Sequence, residues 1–82
     1  MEPIQEGYDV FLHDGDKAVG AVREVNKHEL IVYVENAGDF NVPLHAVKEV
    51  VAGKVVLDKR QISQRMREAI EDEHRAEDPR LG

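Results

Sequence analysis

The chain has 82 residues, of which 41% are hydrophobic and 34% charged, with a formal net charge of −6. That length makes one domain with one small core, burying about 60% of the surface the unfolded chain exposes. The absence of cysteine excludes a disulfide scaffold and any thiolate site, and the longest unbroken apolar run, Leu30 to Val34, is five residues, too short for a membrane-spanning helix.

Tyr8 to His13 alternates, with Tyr8, Val10 and Leu12 on one side and Asp9, Phe11 and His13 on the other. Period two predicts a strand. Asp14-Gly15 follows and signals a hairpin. Ala18 to Asn26 reads as the second strand, and the three-residue spacing of Val19, Val22 and Val25 beside Gly20 predicts a bulge or sharp bend near that glycine. Glu29 to Glu35 is the clearest strand. Leu30, Val32 and Val34 face one way and Ile31 and Tyr33 the other, so both faces are apolar and something is expected to cover Ile31 and Tyr33. Phe40, Val42 and Leu44 alternate with Asn41, Pro43 and His45. Pro43 cannot donate to a ladder, which places this strand at a sheet edge or ends it there. Val47 to Ala52 and Val55 to Leu57 make two further short strands about a turn at Gly53-Lys54. Short strands with turn signals at this spacing predict a small barrel or sandwich.

At Asp58 the period changes. Asp58 with Gln61 suggests a capping box. Ile62, Met66, Ala69 and Ile70 then form one helical stripe, and residues 59–75 contain no Gly, Pro or Val. The expected domain plan is a barrel over 1–57, an amphipathic helix over 58–76 and a disordered tail over 77–82.

The motifs that would carry chemistry are absent or bland. His13, His28, His45 and His74 lie at least 15 residues apart, and Glu71 with His74 is a single i, i+3 pair on a charged helix, so no metal or other cofactor is expected. Asp14 and Asp16 are read as turn residues. Ser63 is the only serine and no nucleophile elbow surrounds it. The segment Asp14 to Gly20 lacks the Lys-Ser/Thr end of a phosphate loop. None of this predicts an enzyme.

Residues 1–57 carry 5 basic and 10 acidic side chains, whereas 58–82 carry 6 and 7. An acidic body with few aromatics disfavours nucleic acid, whose binders need a basic face. The nearest approach is Lys59-Arg60 with Arg65 and Arg67, read as a solvated helix face. A small nucleic-acid-binding barrel or transcriptional regulator is the alternative function. Met1-Glu2-Pro3 shows no basic and apolar leader, which gives a cytoplasmic expectation.

The order of these features resembles the PRC-barrel domain, the module of the photosynthetic reaction centre H subunit and of the ribosome maturation factor RimM. Tyr8-Asp9-Val10, Asp14-Gly15, Val19-Gly20-x-Val22, Phe40-Asn41-Val42-Pro43, Val47-Lys48-Glu49-Val50 and Val55-Val56-Leu57-Asp58 carry the resemblance, over about two-thirds of the chain. It is strongest to small stand-alone bacterial members. It implies a mainly β fold, a strongly bent six-stranded barrel used as an interaction module, with no catalytic residues to transfer; the C-terminal helix lies outside the pattern. The expected function is therefore a non-enzymatic protein–protein interaction module. Ile31 and Tyr33 on the barrel and Ile62, Met66 and Ile70 on the helix are the expected interaction residues. Because a small core gains by sharing surface, the expected partner is a second copy, as a homodimer.

Overall fold

The computed structural model describes residues 3–12 and 17–77, with side chains described up to Glu71. Six strands precede one helix: β1 (Asp9–Leu12), β2 (Gly20–Val25), β3 (Glu29–Val34), β4 (Gly38–Pro43), β5 (Val47–Val51), β6 (Lys54–Leu57) and α1 (Gln64–Glu77). The mainly β fold read from the sequence is the one observed. The strands form one mixed sheet in the order β4-β3-β2-β1-β6-β5, antiparallel throughout except for the parallel β1–β6 pair.

The connection between β4 and β5 sets the shape of this sheet. Laid flat, six strands about 4.8 Å apart would separate the two edge strands by about 24 Å. Yet only a 3₁₀ turn, Leu44–Ala46, links the end of β4 to the start of β5. At a rise of about 2 Å per residue it spans no more than about 10 Å. The sheet must therefore curl until its edges approach at this corner. The Leu44 amide donates to the His28 carbonyl before β3 (3.1 Å), and the Asp58 amide after β6 donates to the Ala46 carbonyl (2.9 Å), so the turn ties both ends of the sheet together. The closure that a complete barrel requires is not seen: among the described residues no ladder joins β4 to β5. Pro43 ends β4, and β4 is an edge strand, as its missing N–H requires.

Two backbone details allow the curl. A Cβ added at Gly20 would run into the backbone carbonyl oxygen of Tyr33, so β2 and β3 come closer here than any side chain permits. The register shift in β2 falls between Val22 and Glu24 rather than at Gly20, leaving Arg23 as the extra residue. Gly20 is thus the point of close approach and Arg23 the bulge, two roles that the valine spacing merged into one. Between β5 and β6 the turn residues are Ala52 and Gly53, both at positive φ (52° and 76°), which matches a two-residue hairpin and shifts the expected turn back by one position.

Among the described residues fifteen hydrophobic side chains make the core, eight of them valine. Leu30, Val32 and Val34 of β3 are fully buried on its concave side. The helix closes this side: Ile62, Met66 and Ile70 retain 5%, 0% and 3% exposure within the same cluster. The expected start of the helix is corrected. Asp58 caps only a 3₁₀ turn, Lys59–Gln61, accepting from the Arg60 amide (2.9 Å), and Ile62 is extended (φ −97°, ψ 163°). The α-helix begins at Gln64, with the Ser63 hydroxyl accepting from the Met66 amide (3.1 Å). The break turns Ile62 inward. Arg67 Nη1 donates to the carbonyls of Lys59 (3.1 Å) and Ile62 (3.4 Å), two groups that the interrupted helix leaves without an intrahelical partner. The expected Asp14-Gly15 hairpin turn and the expected tail beyond Glu77 lie outside the described residues, although the strands flanking that turn do pair antiparallel.

Candidate interaction surface

The strand register builds the convex side of the sheet residue by residue. Cross-strand partners Asp39, Tyr33, Ala21, Asp9, Lys54 and Val51 form one row running from β4 to β5. Side chains alternate along a strand, so the neighbours of buried Val22, Val32 and Val55 must point outward. Two apolar spots lie on or beside this row. One is Tyr33 with Ile31 on β3. The other is Phe11 on β1 with Val56 on β6, which are register partners, beside Val51 on the β5 edge.

Tyr33 is 36% exposed and Ile31 is half-buried. The expectation that β3 is buried on both faces is corrected here. Within the single chain, the cover this face receives comes from polar side chains of the neighbouring strands. The Arg23 guanidinium lies 5.1 Å from the centre of the Tyr33 ring, and its Nε pairs with Asp39 Oδ1 at 3.1 Å. Arg23 therefore reaches from β2 over β3 to β4, lying across the ring as it goes. Beside Ile31, Asn41 Nδ2 donates to Glu29 Oε1 at 2.9 Å. Phe11 has the same kind of cover, with Lys54 Nζ 5.5 Å from its ring centre. Each aromatic on this face is thus part apolar surface and part platform for a cation.

The five expected interaction residues do not come together. Ile31 and Tyr33 are on the convex face, and Ile62, Met66 and Ile70 are in the core on the other side of the sheet. With at most 5% exposure, those three offer no surface while the helix stays docked. The part of the helix open to solvent is the opposite side, including Gln64, Arg65 and Glu68. Arg23, Asp39, Phe11, Val56 and Val51 were missed from the site. Phe11 was already assigned to the outward set of its strand. Arg23 could not be, because its position over Tyr33 depends on the bulge.

The chemistry-bearing candidates stay apart. His28 and His45 are exposed at separate turns, and among the described residues no group of three or more His, Asp or Glu could hold a metal ion. The Ser63 hydroxyl is engaged in capping the helix. Among the described residues the one strongly displaced acid is Asp58. Hydrogen bonds from the Arg60 side chain (3.1 and 3.2 Å) and from the Arg60 amide hold its carboxyl down to about 2, from an ordinary value of 3.8. That pair clasps the 3₁₀ turn. No helix among the described residues is long and apolar enough to cross a membrane.

No protein-family model, curated protein or solved structure matches the chain.

Proposed function

We propose that this chain is a non-enzymatic protein–protein interaction module of PRC-barrel type, acting in the cytoplasm and self-associating into a homodimer through the convex face of β2–β4 and the outward side of its C-terminal helix. The observation that carries the reading is Tyr33. Its ring is exposed at the centre of a sheet face, held in place by Arg23, which is itself tied to Asp39. Interface hot spots are enriched in Tyr, Trp and Arg, the first two bringing large contact area and Arg several donors. Here the ring and the guanidinium already have partners within the chain, which favours a defined placement before binding. The open helix face adds contact area without undoing the core.

Sedimentation velocity across a micromolar concentration series tests this reading. The wild-type chain is expected to shift from monomer to dimer. Tyr33→Ala is expected to weaken that association by about thirtyfold, the effect of losing one hot-spot side chain. A wild-type chain that stays monomeric at high micromolar concentration overturns the reading.

A further inference from the structure

The surface charge is segregated. Residues 20–43, spanning β2 to β4, carry the acids Glu24, Glu29, Glu35 and Asp39 against Arg23 and Lys27. Arg23 is already paired with Asp39 and Asn41 with Glu29. Residues 58–67, the 3₁₀ turn and the first turn of α1, carry Lys59, Arg60, Arg65 and Arg67 against Asp58 alone. These two regions meet at one edge of the sheet, because the Arg65 guanidinium lies 5.2 Å from the centre of the Phe40 ring on β4. Each molecule therefore presents an acidic, tyrosine-centred sheet face and, next to it around the β4 edge, a basic helix start.

We propose that a second copy of this chain is the occupant of the β2–β4 face, and that it docks there with its basic segment Asp58–Arg67 while offering its own acidic face in return. This deepens the self-association reading and rests on it. Two observations favour this pairing over face-to-face stacking of two sheets. The outer side of a curled sheet is convex, so two such faces would touch along a narrow band. Stacked faces would also set Glu24, Glu29 and Asp39 of one copy against those of the other. Placing the basic segment on the acidic face removes the like-charge contact, and a two-fold axis makes the contact twice. The net charge of −6 on each copy acts over longer distances, where salt screens it beyond about 10 Å. The complementary groups act at contact, where screening is weaker.

A charge swap provides the test, using two exposed residues with no part in the core, Lys59 and Glu24. Lys59→Glu alone and Glu24→Lys alone are each expected to weaken the dimer about tenfold, because each reversal is felt at both symmetric contacts. An equimolar mixture of the two variants is expected to dimerise like the wild type, since in the mixed dimer both contacts regain opposite charges. Unchanged thermal melting of each variant at a concentration low enough for the wild type to be monomeric shows that the fold is intact. A dimer that ignores both single changes, or a mixture no tighter than its components, overturns this inference and leaves self-association standing. A wild-type chain monomeric at every concentration overturns both.

Discussion

The helix stripe and the outer side of β3 are both apolar sets in search of cover, and they end differently. Ile62, extended just ahead of the helix, and Met66 and Ile70, one turn apart on it, bring three large apolar side chains to the same side. They are buried in the chain's own core. Ile31 and Tyr33 are only two, and the strand register sets acids and an amide beside them: Glu24 and Asn41 against Ile31, and Asp39 against Tyr33. A bulged arginine then lies over the ring. The contrast shows that apolar periodicity identifies a surface that the chain must bury in its own core only when its neighbours in space are apolar too. On a strand those neighbours come from other strands, so one strand's pattern cannot reveal them.

Truncation should break the symmetry between the two sets most plainly. Met66→Ala removes a fully buried side chain and leaves a cavity under the helix. A loss of about 4 kcal/mol is expected in urea denaturation. The matched change Ile31→Ala, at a half-buried position, should cost about 1 kcal/mol. Equal losses would mean that the convex face is as tightly covered as the core.

Gly20→Ala acts on the other side of the comparison, because the position that excludes a side chain is the one beside the Tyr33 carbonyl. Accommodating a methyl group there requires β2 and β3 to separate. The expected cost is about 3 kcal/mol, with loss of amide-exchange protection concentrated in those two strands. If alanine were neutral at this site, the close approach would not be what lets the sheet curl.

Much of the fold was legible because period two survives wherever one face of a strand is buried. Leu30, Val32 and Val34 are fully buried as their alternation requires, and Pro43 sits on an edge because it lacks a donor. The switch to helical period at Asp58 located the last element. Its first turn was misplaced because Asp58 and Ser63 are both good caps five positions apart, and tertiary burial of Ile62 decided between them. The open ladder between β4 and β5 was not legible, since closure depends on edge geometry rather than on any strand's own residues. The site was half legible. Tyr33 and Ile31 could be placed on the outer side of β3, but the Arg23–Asp39 bridge needed the bulge and the pairing of three strands.

The smallest expected effect lies in the linker that joins the two regions. Asp58 is ionised more readily in the folded chain than in an unfolded one, because Arg60 bonds its carboxylate. A group whose folded-state pKa lies below its unfolded value contributes stability above the unfolded value, and that contribution is lost as pH falls toward the folded one. The window here runs from about 4 down to about 2. Asp58→Asn retains an acceptor for the Arg60 amide but loses the charge pairing. The difference in stability between wild type and this variant should therefore be constant above pH 4, shrink across the window and vanish near its lower end. Arg60 is largely exposed, so the whole difference is small, and chemical denaturation at pH 5 and pH 2.5 is the comparison that resolves it. Parallel stability curves through that range would show that the clasp does not help to hold the sheet-to-helix linker in place, leaving the Ser63 cap and the burial of Ile62 to fix where the helix begins.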